Sequence, residues 1–279
     1  MKNPLRVLMI GAHPDDPDVS CGGIAAKYAA LGHVVKFVSC TNGATGHYAI
    51  GGIELARRRF AEAQASAEVA GISEYQILDW HTGELEPSVT RRKEIIRIMR
   101  EFRPDVLFTH RPNDYHPDHR ATSQLVMDAS YIVMVPNMLP LTDALASAPV
   151  ICYLRDDFEQ PTPFRCDVVV DIGDTIETKY DMLHQHVSQF YEWLPYGHNM
   201  LDAVPETEAE RRAWLIQSFL PTVFPGLFDT AGKFRRELSR FYGPESGGTI
   251  EYAEAFEISS YGARCPDERI REIFPFFRI

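Results

Sequence analysis

Two short runs concentrate the residues able to do chemistry: Gly11-Ala12-His13-Pro14-Asp15-Asp16 near the start and, far downstream, His116-Pro117-Asp118-His119. Imidazole and carboxylate donors suit zinc, and iron or cobalt can take the same set. A catalytic zinc takes three protein ligands and keeps one position for water. His13 and Asp16, three apart on a proline-stiffened loop, would give two ligands, and His119 the third. Asp15 then stands beside a ligand yet free, placed as a carboxylate base for the bound water, with His116 as a spare imidazole. Such a set is complete for metal-assisted hydrolysis. The cysteines do not compete. Cys21, Cys40, Cys152, Cys166 and Cys265 are odd in number and form no CxxC pair, which argues against a disulfide framework and against a thiolate metal site.

Each residue also has a plainer use. A loop histidine such as His13 is commonly bonded to backbone, and Asp15 or Asp16 could cap a following helix. Neither use accounts for the second run. His116 and His119 could be solvated, but a protonated His119 at a helix start would meet the positive helix end, which favours a neutral, metal-bound ring. His47, His81 and His198 read as exposed loop residues, His184 and His186 as structural, and His110, ending a strand, as a neighbour of the site. Phe190, Tyr191, Trp193 and Tyr196 could stack on a sugar, although packing is the commoner use of such rings, as it is for Phe274, Phe276 and Phe277.

Regular elements must bring the two runs together. Arg6–Ile10, Val34–Cys40, Tyr75–Leu78 and Asp105–Thr109 read as strands, with Ser20–Leu31, Glu54–Ala70, Thr90–Phe102 and His119–Tyr131 as helices. That alternation predicts right-handed βαβ units and a Rossmann-like, doubly wound, mostly parallel α/β sheet with helices on both faces. In the strand order 3-2-1-4-5-6, strands one and four are neighbours at the switch point. The loops after them flank one crevice, where open α/β sheets bind ligands. A dinucleotide is excluded there: GAHPDD has His and Pro where a phosphate turn needs Gly, and strand two ends in Cys40-Thr41-Asn42 without a carboxylate.

Further strands are expected at Pro149–Leu154 and Val168–Ile172, and a helix over Thr175–Phe190. Past Trp193 the rhythm is lost. Glu206–Phe219 and Gly232–Phe241 suggest helices, and Gly247-Gly248 a turn. The expected division is a catalytic domain over 1–191 and a mixed extension over 192–279, unless both belong to one domain.

The paired AHPDD and HPDH runs, with the whole stretch from Thr109 to Thr122, resemble the PIG-L/LmbE family of zinc-dependent N-acetylglucosaminyl deacetylases over about residues 5–190. The resemblance implies zinc on His13, Asp16 and His119, and Asp15 as general base. It implies that His116 stabilises the tetrahedral intermediate or donates a proton, that Asp118 orients His116, and that Arg59 binds substrate. The family usually has Glu after the paired aspartates, where this chain has Pro17-Asp18; Cys21-Gly22-Gly23 does match and lets the helix start pack closely. The implied reaction removes the acetyl group from an N-acetylglucosamine-type amino sugar or its conjugate. One rival is a zinc amidase that cleaves a larger acyl group from a thiol or lipid-linked sugar conjugate. Another is a metal-binding module without turnover, which would have no use for Asp15.

Composition agrees with a small-molecule partner. The 279 residues carry 28 Lys plus Arg against 39 Asp plus Glu, a net charge of −11, which argues against a nucleic-acid partner. A hydrophobic share of 45% excludes a disordered chain. No run approaches the roughly 20 apolar residues of a membrane span. The N-terminus lacks a signal-peptide core, so a cytoplasmic location is expected. The proline-rich, aromatic C-terminal part could supply a homo-oligomer interface.

Overall fold

Apolar runs such as Val7–Ile10 are buried on both sides, as strands covered by helices on two faces must be. The computed structural model describes residues 3–277. Its first half runs β1 (Arg6–Gly11), α1 (Asp16–Ala30), β2 (Val34–Thr41), α2 (Gly52–Ala70), β3 (Glu74–Trp80), α3 (Val89–Phe102), β4 (Val106–Thr109) and α4 (Pro117–Ile132). It continues through β5 (Val150–Leu154), β6 (Val168–Asp171) and α5 (Ile176–Gln185), then short helices, β7 (Ala253–Gly262) and a last helix over Asp267–Ile273.

The seven strands form one sheet in the order β3-β2-β1-β4-β5-β7-β6. β1 pairs in parallel with β2 and with β4, and Ile10 faces Thr109, so the loops that follow β1 and β4 leave the same sheet edge side by side. Ile24, Tyr28, Ala63, Ala67, Met182 and Leu183 of α1, α2 and α5 cover one face. Ile95, Ile96, Met99, Leu125 and Val126 of α3 and α4 cover the other.

Three features depart from the expectations. First, α1 and α4 start earlier, at Asp16 and Pro117, because each carries a proline, Pro17 and Pro117, in its first turn, where the missing N–H costs nothing. The two motifs therefore straddle helix starts. Second, Gly247-Gly248 lies inside a short helix, Pro244–Thr249, and not in a turn. Gly247 is packed so tightly there that a Cβ would meet the backbone of Leu238 and Ser239 at 2.7 Å. Third, β7 is a long strand inserted antiparallel between β5 and β6. A boundary at residue 191 would cut this sheet, and the residues after it share one hydrophobic core with α1 and α5.

The C-terminal strand also repairs a defect in α1. That helix breaks at Cys21 (φ −147°, ψ 19°), which frees the amides of Gly23 and Ile24. Both donate to the carboxylate of Glu254 on β7, at 2.9 and 2.8 Å, and Lys179 of α5 donates to it at 2.6 Å. Gly23 itself lies so close to Ile172 that a Cβ would come within 2.8–2.9 Å of that side chain. Overpacking of this kind costs about 1–3 kcal/mol, more than the roughly 1 kcal/mol that Ala gains over Gly in a helix. Gly23→Ala is therefore expected to lower stability on balance; an unchanged or raised urea midpoint would contradict the tight packing.

Candidate active site

The loops after β1 and β4 meet over the switch point and line a cleft of about 680 Å³ together with Arg59, Trp193 and Phe224. Asp16 is fixed by backbone: its Oδ2 accepts the amides of Ala12 (2.9 Å) and His13 (2.7 Å). His13 Nδ1 lies 3.3 Å from Asp16 Oδ2 and 3.2 Å from His119 Nε2, and His119 Nε2 lies 3.4 Å from Asp16 Oδ1. A tetrahedral zinc with bonds of about 2.0–2.1 Å holds its ligands roughly 3.3 Å apart. The distances are of that order, with Asp16 presenting Oδ2 to His13 and Oδ1 to His119; with one atom from each residue, the groups able to hold an ion among the described residues are His13, His116 and His119, and Asp16, His110 and His119.

His116 and His110 also lie within ligand range of His119. Each has a ring nitrogen engaged elsewhere. His116 caps α4, its Nδ1 accepting the Asp118 amide at 3.1 Å, which leaves Nε2. His110 Nε2 accepts the Ala12 amide at 3.1 Å and stacks on His119 with ring centres 3.9 Å apart. Its Nε2 lies 3.1 Å from Asp16 Oδ2, which places it within the cluster.

Carboxylates back both histidines from behind. The fully buried Asp118 accepts the amides of Gly83 (2.7 Å) and Leu85 (3.2 Å), and its Oδ2 lies 3.2 Å from His13 Nε2. Asp114 Oδ1 lies 3.0 Å from His119 Nδ1. Partners of this sort fix the tautomer and orientation of a ligating ring. Asp118 thus orients His13, whereas the expectation had it orient His116; its backbone amide, not its carboxylate, reaches His116. Asp114 lies in the Thr109–Thr122 stretch, and only the folded loop shows its contact.

Asp15 precedes α1 but its side chain makes no capping bond. Its Oδ1 accepts from Arg59 Nη2 at 2.5 Å, and that arginine, 2% exposed, has its stem against Gly43. Arg59 was expected to bind substrate; its guanidinium lines the cleft but is engaged with Asp15.

Beneath the first loop, Asp18 accepts from Ser66 and from Tyr75, at 3.0 Å for the latter, and lies 3.3 Å from His186. Tyr75 also donates to the carbonyl of Pro14. His186 is fully buried there, and His184 pairs with Tyr191 at 2.6 Å, which makes both structural. His47 is not an exposed loop residue: it is bonded to Glu192 at 2.8 Å with its side chain only 4% exposed.

The electrostatics follow from this crowding. Burial would raise the Asp16 carboxyl, but the imidazoles of His119, His13 and His110 outweigh it and hold the group well below the usual range. Burial would lower His119, yet Asp16 and Asp114 lift it to about 10. Burial, aided by repulsion from His13 and His119, drops His116 to about 4. For Asp118, burial is outweighed by the bond to His13 and the Gly83 amide, and it falls to about 2. Protons and a divalent cation would compete for the same nitrogens.

A histidine–carboxylate cluster with a separate, arginine-held carboxylate at a switch point is the arrangement of a metal-assisted hydrolase. Comparison with known proteins narrows this class. The chain belongs to the PIG-L family: the family model described as GlcNAc-PI de-N-acetylase matches residues 8–130. The diacetylchitobiose deacetylase of Thermococcus kodakarensis is 31% identical over 232 residues, 78% of this chain and 84% of that protein. A 1D-myo-inositol 2-acetamido-2-deoxy-alpha-D-glucopyranoside deacetylase of Saccharopolyspora erythraea is 26% identical, over 70% of this chain and 81% of its own. Among solved structures, N,N'-diacetylchitobiose deacetylase from Pyrococcus horikoshii superposes with a TM-score of 0.70 at 26% identity, covering 92% of this chain and 85% of that one.

Proposed function

We infer that the deacetylation runs through the cluster after β1 and β4, with His13, Asp16 and His119 holding a divalent metal, Asp15 acting as base and His116 as oxyanion donor. By its family the chain is a metal-dependent amide hydrolase that removes the acetyl group from an N-acetylglucosamine-type amino sugar. The observation that carries the assignment is the 3.2–3.4 Å convergence of His13, Asp16 and His119 beside an Asp15 that is held by Arg59. A metal bound there polarises the amide carbonyl and acidifies the attacking water.

The remaining work falls to side chains. Asp15 takes the proton of the water as its oxygen bonds to the acetamide carbon, and Arg59 keeps the carboxylate aimed. With Nδ1 of His116 occupied by the Asp118 amide, the neutral ring carries its proton on Nε2 and donates it as a hydrogen bond to the developing oxyanion. Protonated Asp15 then returns its proton to the nitrogen as the C–N bond breaks, releasing acetate and the free amine. Zinc is the metal the donor set fits best. Five free cysteines suit a reducing, cytoplasmic setting, and among the described residues no helix is long and apolar enough to cross a membrane.

Metal content and turnover test the division of labour together. His119→Ala should lose tightly bound metal by mass spectrometry. His116→Ala should keep it and lose about 10²–10³ in kcat. If His116→Ala lost the metal while His119→Ala retained it, the two roles would be exchanged.

A further inference from the structure

Asp15 is anchored at two ends. Arg59 takes its carboxylate. The other end is the peptide that joins Asp15 to Pro14, which lies outside both β1 and α1. A proline ring fixes its own φ, so this peptide can still turn about ψ of Pro14 and φ of Asp15. Either rotation swings the Asp15 side chain relative to His13 and Asp16. The direction of the Pro14 carbonyl reports that angle, and whatever holds the carbonyl sets it.

Tyr75 of β3 holds it. Its ring packs edge-on against Phe37, with centres 5.2 Å apart at 85°. Its hydroxyl sits between the Pro14 oxygen and Oδ2 of Asp18, 3.0 Å from the latter, and its one hydrogen is shared between them. Asp18 is held in turn: Ser66 of α2 donates to its Oδ1, and Nε2 of His186, just past α5, lies 3.3 Å from the same atom. Tyr75, Asp18, Ser66 and His186 are all buried. Burial, aided by the carboxylates of Asp18 and Asp15, pushes the Tyr75 phenol well above its usual range, so the hydroxyl keeps its hydrogen. Packing alone would be served by a phenylalanine. The hydroxyl adds a bond to the segment between His13 and Asp15, with a buried carboxylate committed to holding it there.

We propose that Tyr75 is a positioning residue for the deacetylation: through the Pro14 carbonyl it aims Asp15 at the attacking water, and Asp18 aims Tyr75. The inference rests on the reading of Asp15 as the base. A misplacement of about 1 Å at a reacting group costs on the order of 10² in rate, so a loosened peptide at this point is felt in turnover.

Tyr75→Phe removes the hydroxyl and keeps the ring. With metal-loaded protein and N-acetylglucosamine or N,N'-diacetylchitobiose as substrate, kcat should fall by about 10–10²-fold, with KM within about twofold of wild type. Bound metal should stay at the wild-type level. The decisive readout is a double variant. Added to Asp15→Asn, which has no base left to aim, Tyr75→Phe should slow the residual turnover by less than about twofold. A hydroxyl that only stabilised the fold would slow both backgrounds by the same factor. Equal factors, a Tyr75→Phe protein with near wild-type kcat, or one that loses its metal overturns the proposal. If the Asp18 carboxylate, left short of a donor, unfolds Tyr75→Phe, the pair Tyr75→Phe with Asp18→Asn buries no such charge and is read in the same way. Failure of the underlying reading is seen separately, as an Asp15→Asn protein with undiminished kcat or a wild type that releases no acetate.

Discussion

Asp15→Asn is expected to lower kcat by about 10²–10⁴-fold while the bound metal stays at the wild-type level, because a positioned base contributes about that much. The substitution keeps the shape of the side chain and its acceptor for Arg59 Nη2, but removes the site that takes the water's proton. Metal content should not move, since Asp15 is separate from the three converging donors. Michaelis constants should change little, because the lost interaction belongs to the transition state. A variant with near wild-type kcat would remove Asp15 from the base role. A variant that lost its metal would show Asp15 to be a ligand.

The second large effect concerns stability. Glu254→Ala leaves Lys179, 1% exposed, without its anion and strands the amides of Gly23 and Ile24 at the break in α1. Removing one partner of a buried pair costs about 3–5 kcal/mol, a large part of the 5–15 kcal/mol that holds a typical domain. Lys179→Met should be comparably harmful alone. The double variant Glu254→Gln with Lys179→Met, which buries no unpaired charge, should recover part of the loss, as a double-mutant cycle would register. If Glu254→Ala cost under about 1 kcal/mol by urea unfolding, the strand would not be bracing the helix.

Most of the first half was legible because its signals are local. Val7–Ile10 is an apolar run that suits a strand covered on both faces, Val34–Cys40 is mostly apolar, and GAHPDD and HPDH are each contiguous runs that lead into a helix start. The parallel sheet followed from alternation, and the common doubly wound strand order then joined the two loops. β7 was not legible. Its sequence AEAFEISSYG interrupts apolar positions with Glu254 and Glu257, and its place between β5 and β6 depends on pairing with strands far away in sequence.

The same division runs through the site. Residue types identified the cluster, but which carboxylate backs which imidazole depends on side-chain direction. Asp118 is two residues from His116 and yet its carboxylate reaches His13, because the first turn of α4 points it back toward the loop of β1. Arg59 reaches Asp15 from the middle of α2, a contact that no spacing encodes.

Acetate release by the metal-loaded protein tests the central claim most directly, with N-acetylglucosamine and N,N'-diacetylchitobiose as substrates and Asp15→Asn in parallel. The account predicts one acetate for each free amine formed, from at least one of the two sugars, and loss of both products together in the variant. No acetate from either sugar by a protein shown to hold one equivalent of metal, or release that Asp15→Asn leaves intact, would contradict it.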